Sequence, residues 1–181
     1  KAAWCITEPA DVPGILRQAI HIARSDRPGP VLIDLPLDVQ TATIDYEPGQ
    51  DRSIPVVRKA PNGADIRRAL ELVLEAERPL LLLGGGVVLA GAEKEARELA
   101  EVLNLPVIST YTAKGVLPSQ HPLYVGQVGI QVGTPFGNKF FLDSDLVLGI
   151  GCRFNDRHTG KLDVYVGDRR FIHIDVDPRQ I

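Results

Sequence analysis

Between Gly149 and Gly160 the chain reads GIGCRFNDRHTG, an apolar run that enters glycines and then two arginines, Arg153 and Arg157, four residues apart. Glycine lets backbone approach an anion closely, and a guanidinium offers forked donors that match phosphate oxygens. Two more segments are built alike: LLLLGGG at Leu80 to Gly86 and IHIDVDP at Ile172 to Pro178. Together they predict three strand ends that form the mouth of one nucleotide site.

Each signal has a plainer reading beside it. Gly84, Gly85 and Gly86 turn backbone N–H groups toward a ligand without Cβ obstruction, or else close a tight turn; the run is not GxGxxG, because Leu89 stands where the third glycine would be. On the first reading a bulky side chain at Gly85 blocks the ligand and leaves the fold largely intact. Asp175 accepts ribose hydroxyls or caps the turn before Pro178. Arg153 and Arg157 clamp a pyrophosphate or pair with Asp156, Asp163 or Asp168 on a solvated surface. His158 has no partner nucleophile in view, so it orients or packs rather than acting as a base, and His21, His121 and His173 are structural. Paired catalytic carboxylates, a Ser/His/Asp order, a G-x-x-x-x-G-K-S/T loop and a metal-ligand cluster are absent. Such a chain holds a nucleotide and does not make or break a bond.

The elements that position these groups follow from periodicity. Apolar residues at helical spacing, with Asp11 as the cap, predict a helix from Val12 to about Ser25. A short strand over Val31 to Leu35 follows, with nothing nearby to pair against. From Pro36 to Gly63 the pattern dissolves into a linker marked by Pro36, Pro48, Pro55, Pro61, Gly49, Asp51 and Ser53. A helix capped by Asn62 then runs toward Pro79, and strand Leu80 to Leu83 leads into the glycines. A helix from about Ala92 to Leu103, a strand at Val107 to Ser109, a helix near Phe136 to Leu142 and strands at Leu146 to Ile150 and Phe171 to Ile174 complete the pattern. The stretch Thr110 to Thr134 reads as a long loop, which hints at ligand contact. Continuously apolar strands alternating with helices predict an α/β fold, a Rossmann-like parallel sheet covered on both faces, with ligands outside the carboxyl ends of its strands.

Composition bounds the function. The 181 residues carry a formal charge of −3, so the field of a nucleic-acid binder is missing and each arginine is a local feature. Two distant cysteines, Cys5 and Cys152, predict neither disulfide nor zinc and fit a reducing, cytoplasmic setting. No run of about 18 apolar residues suggests a membrane span. The absence of methionine, including at the start, predicts a piece of a longer protein.

At GCRFNDRHTG the sequence resembles the middle domain of thiamine-diphosphate-dependent carboligases of the acetohydroxyacid synthase and glyoxylate carboligase branch. The resemblance covers essentially the whole chain. RPGPVLIDLPLDVQ is similar to the end of the pyrimidine-binding domain, LLLLGGG to the opening of the middle domain and IHIDVDPRQI to its last strand. It implies that residues 1–37 are the tail of the pyrimidine-binding domain, 38–62 a linker and 63–181 a central FAD-binding domain. RHTG and LPLDVQ are more similar to the glyoxylate side of the branch, whereas NDR departs toward the synthase side.

The resemblance implies FAD contacts from Gly84, Gly85 and Gly86, from Thr110, Tyr111 and Thr112, and from Gly126, Gln127 and Val128. It extends them to Gly151, Cys152, Arg153, Asn155 and Arg157, with Asp175 and Val176 at the adenosine end. It also implies a parent enzyme, a homo-oligomer, that condenses two glyoxylate molecules with loss of carbon dioxide. Thiamine diphosphate and magnesium would bind outside this chain, since Gly167 and Asp168 are followed by Arg169 rather than completing the family's GDG motif. No catalytic residue and no metal ligand is then expected here. The contrasting expectations are the central domain of an acetolactate synthase, which acts on pyruvate, and an interaction domain without a nucleotide.

Overall fold

The computed structural model describes residues 1–47, 49, 52–58 and 60–181; Pro48 and Asp51 of the expected linker lie outside them. The chain divides into two compact units, Lys1–Ala60 and Pro61–Ile181.

In the first unit, strand β1 (Ala3–Cys5), helix α1 (Val12–Arg24) and strand β2 (Leu32–Asp34) form a right-sized βαβ unit, with Ala3, Trp4 and Cys5 paired in parallel to Leu32, Ile33 and Asp34. The strand expected to be unpaired therefore has a partner. That partner, β1, is three residues long, and Ala-Trp-Cys carries too little pattern to mark a strand. Asp11 does not cap α1: its backbone is helical and its side chain makes no capping bond, since a 3₁₀ turn at Pro9–Asp11 feeds the helix and Pro13 removes an N–H that would otherwise need a partner. Helix α2 (Leu37–Thr41) follows.

The second unit holds a five-stranded, wholly parallel sheet in the order β5-β4-β3-β6-β7. Its chain order is α3 (Gly63–Glu75), β3 (Pro79–Leu83), α4 (Gly85–Ala90), α5 (Glu93–Leu103), β4 (Val107–Ser109) and β5 (Tyr124–Gln127). Then come α6 (Pro135–Asp143), β6 (Leu146–Ile150), α7 (Asp156–Thr159), α8 (Leu162–Val166) and β7 (Arg170–Ile174). Alternation along β3 explains why a continuous apolar run was needed. Leu81 and Leu83 join a core with Val73 of α3, Val87 of α4 and Ala96 and Ala100 of α5; Leu80 and Leu82 join a second core with Phe141 of α6 and Tyr165 of α8. Both faces of β3 are covered, the arrangement of a doubly wound α/β sheet.

Caps set the helix starts. Asn62 accepts the Ala64 N–H, and Thr134 accepts the Gly137 N–H at 3.0 Å. Two elements differ from expectation. The stretch Thr110 to Thr134 contains β5, whose Gly126 sits at φ +139° beside a register shift against β4, so it does not read as a strand. Helix α4 begins inside the glycine run and ends on left-handed Gly91, φ +65°.

Asp145, at the entry to β6, ties the sheet's base together by accepting the N–H groups of Glu77 and Arg78, both at 2.9 Å. Partial burial pushes its carboxyl up, yet those two backbone bonds, with its own amide and the Arg78 charge, hold it below the ordinary carboxylate range. Because the folded value is the lower one, this contribution is complete above the unfolded value and disappears as pH falls through the folded one. Asp145→Ala is expected to lower stability by about 1 kcal/mol at neutral pH and by less in acid, read from urea midpoints.

Candidate functional site

Strand β3 is central: β4 and β5 lie to one side of it, β6 and β7 to the other. The direction of winding thus reverses between β3 and β6, and ligands of such sheets bind outside the carboxyl ends at that switch point. Here the two strand ends interlock. Gly84 donates its N–H to the Ile150 carbonyl at 2.9 Å, and Gly86 donates to the Gly151 carbonyl at 3.0 Å. A Cβ on Gly84 would fall on the Gly151 carbonyl oxygen, and one on Gly86 would stand 2.7 Å from the Gly151 Cα.

That geometry gives the glycine run a structural role. Gly84 and Gly86 are glycine where two stretches of main chain cross. Gly85 is also closed off, since its Cβ would stand 2.6 Å from Thr112 Oγ1. A side chain there meets Thr112 before any ligand.

The other strand ends share this edge. After β4, Thr110 donates its N–H to Leu83 O at 2.9 Å, its hydroxyl lies 3.3 Å from that of Thr112, and Tyr111 is exposed. Within β5, Gly126 abuts Thr134, and just after it Val128 is turned into the core with its N–H bonded to Ser109 O at 3.1 Å. Gln127 donates its backbone N–H to Thr134 Oγ1, but its side-chain Nε2 is buried without any hydrogen-bond partner, the one such side-chain atom among the described residues. Buried donors are as a rule paired, so this one calls for an acceptor.

After β6, Gly151 takes φ +62° and donates to Ile174 O at 2.8 Å. Cys152 is buried; burial, aided by the Asp175 charge and partly opposed by the Phe154 N–H and Arg153, pushes its thiol up to about 11, so it stays protonated. Asn155 caps α7 by accepting the His158 N–H at 3.2 Å. Arg153 and Arg157 are exposed, and among the described residues neither forms an ion pair, with Asp156, Asp163 or Asp168 included. The Arg157 carbonyl accepts the Ile130 N–H at 3.3 Å, so this segment carries the chain from the end of β6 to the loop after β5.

At the end of β7, Asp175 acts as a turn cap: Oδ1 accepts the Asp177 N–H at 2.9 Å, and Oδ2 lies 3.9 Å from His173 Nε2. Val176 is exposed. His173 donates from Nε2 to the Cys152 carbonyl at 2.8 Å, tying β7 to the same turn.

Beside the arginine segment lies a cavity of about 310 Å³, lined among others by Val128, Ile130, Phe141, His158, Lys161 and Tyr165. Neither Ile130 nor Lys161 carries a sequence signal, because the cavity exists only once α6 and α8 pack beside β5. Burial lowers the His158 imidazole to about 4, so it is neutral, with Nδ1 3.6 Å from Cys152 Sγ and Nε2 3.5 Å from Tyr165 Oη.

Among the described residues no cluster of three or more His, Cys, Asp or Glu could hold a metal, and no helix is long and apolar enough to cross a membrane.

A doubly wound parallel sheet with an interlocked switch point and two unpaired guanidinium groups on its carboxyl side defines a Rossmann-like α/β domain. Residues 66–181 match the family described as thiamine pyrophosphate enzyme, central domain, and the chain belongs to that family. It is 44% identical over 181 residues to a glyoxylate carboligase of Escherichia coli O157:H7, covering 100% of this chain and 30% of that protein. It is 42% identical over 187 residues to an acetolactate synthase of Arthrospira platensis (100% and 32%). Against an acetolactate synthase large subunit of Corynebacterium glutamicum it is 40% identical over 183 residues (100% and 29%). The chain thus spans about a third of the length of the curated relatives it matches.

Proposed function

We propose that the unit Pro61–Ile181 holds FAD along the carboxyl edge of its sheet, within a thiamine-diphosphate-dependent carboligase that condenses two glyoxylate molecules. The observation that carries this reading is the pair Arg153 and Arg157, exposed and unpaired on the segment that leaves the β3/β6 switch point. Two guanidinium groups four residues apart suit a pyrophosphate. The orphaned Gln127 amide fits the same group, as a buried donor awaiting a carbonyl or hydroxyl acceptor. Thr110 and Thr112 offer hydroxyls after β4, and Asp175, whose Oδ2 also lies 3.9 Å from His173 Nε2, would accept a ribose hydroxyl at the end of β7.

Condensing two glyoxylate molecules to tartronate semialdehyde and carbon dioxide is redox neutral, so bound FAD supplies structural stability and no electrons. Residues 1–37 belong, on this reading, to the pyrimidine-binding domain, while thiamine diphosphate, magnesium and the catalytic groups belong to the rest of a homo-oligomeric parent.

Titrating the chain with FAD tests the cofactor. At a concentration 100-fold above the dissociation constant the expected stabilisation is about 2.7 kcal/mol, a rise in Tm of roughly 10 °C. A flat titration rejects FAD and favours an interaction domain. Assaying the full-length protein with glyoxylate against pyruvate tests the substrate, the rival being an acetolactate synthase, whose relative is 42% identical beside 44% for the glyoxylate carboligase. Turnover of pyruvate with glyoxylate inert rejects the glyoxylate reading.

A further inference from the structure

Phe154 stands between the two arginines with left-handed backbone, φ +52°. The other non-glycine residues at positive φ among those described are Asp26 and Asn104, types that tolerate this region; a bulky aromatic does not. Its surroundings hold it there. The ring meets His173 edge-on at 4.9 Å and 89°, Phe171 at 6.0 Å and 84°, and Tyr165 at 6.2 Å and 74°, and it stacks on His158 at 6.0 Å. Its Cζ fills the space that Gly149 leaves on β6, where a Cβ would come within 2.7 Å. The glycine in the middle of an otherwise apolar strand is thus a seat for this ring. With the ring seated inward, Arg153 and Arg157 on either side of it are left outward and exposed.

We propose that Phe154 is a positioning residue. Its ring pegs the segment 153–157 to the sheet, so that Arg153 and Arg157 are already arranged for an anion before one arrives. A segment ordered in advance loses less conformational freedom on binding, which raises affinity without any added contact. This inference rests on the reading that the two arginines take the FAD pyrophosphate.

Phe154→Ala tests it, with two measurements on the same chain: FAD affinity and amide hydrogen exchange. FAD is expected to bind at least about 10-fold more weakly. Exchange is expected to rise about 10-fold at residues 158–160, whose amides donate to Asn155 and Asp156 carbonyls of the pegged segment at 2.9 Å, while the amides of β3 and β6 keep their wild-type protection. A purely structural role would raise exchange across the sheet, which overturns the inference, as does unchanged exchange at 158–160. Gly149→Ala, which displaces the ring and keeps Phe154, is a second route to the same two results if Phe154→Ala does not fold. Should the wild-type chain bind no FAD, the cofactor reading fails by itself and the local exchange decides the role of Phe154. Should wild type and variant bind FAD equally, the cofactor reading stands and the peg is rejected.

Discussion

Gly84→Ala is expected to destabilise the second unit by roughly 3–5 kcal/mol. The new Cβ would land on the Gly151 carbonyl oxygen and within 2.6 Å of the Cys152 Cα, and all of those atoms are main chain. A side chain can rotate away from an intruder; a backbone held by hydrogen bonds on both flanks cannot. Separating the segments would break the Gly84 to Ile150 bond at 2.9 Å and the Gly86 to Gly151 bond at 3.0 Å. Overpacking of about 1–3 kcal/mol and about 1 kcal/mol for each lost bond sum to roughly 3–5 kcal/mol, a large part of a domain's usual 5–15 kcal/mol. Gly85→Ala meets only the Thr112 side chain and should cost about 1 kcal/mol. Gly14→Ala, inside α1 with nothing within 4 Å of the new Cβ, should be neutral or stabilising by up to about 1 kcal/mol. Urea denaturation of the three variants checks the order. Equal midpoints for Gly84→Ala and wild type would mean that the two strand ends do not interlock.

The second large effect is a loss of stability in mild acid through His158. Burial lowers its imidazole from the ordinary 6.5 to about 4 in the folded chain. The flanking Cys152 thiol and Tyr165 phenol are both pushed upward by burial, so neither supplies an anion to hold an imidazolium. Since the folded value is the lower, the unfolded chain takes up its proton first. Stability is complete above about pH 6.5 and falls as pH drops toward about 4, by on the order of 3 kcal/mol across that window. His158→Gln stays neutral throughout and is expected to flatten this part of the profile. Unfolding free energies of both proteins between about pH 7.5 and about pH 4.5 decide it: parallel curves would show that His158 is not buried in this way.

How much of this was legible beforehand depended on whether the cause was local. Strands β3, β4 and β6 announce themselves because burial on both faces demands an unbroken apolar run, and α3 announces itself through the Asn62 cap. Strand β1 is three residues long, β5 is interrupted by Gly126, and α7 and α8 span four and five residues, too few for a helical period to show. At the site, the residues assemble because parallel strands end on one edge, which a sequence reveals. What each residue does there is a matter of what lies opposite it. Gly84 meets Gly151, Asp175 meets the Asp177 amide and Val128 meets the core, and none of these partners is adjacent in the pattern. Arg153 and Arg157 are the reverse case: the nearby aspartates offered a local pairing that the fold does not use.

The place of β3 at the centre of the sheet has a consequence for the newly made chain. Its neighbour β4 follows within about 30 residues, but β6, which covers the other edge, begins at Leu146. Until that stretch has left the ribosome, Leu80 to Leu83 present an open, fully apolar edge, the kind of surface that recruits foreign strands. A translational pause placed before residue 150 would therefore prolong the period in which this polypeptide is prone to clump, and a pause placed after it would not.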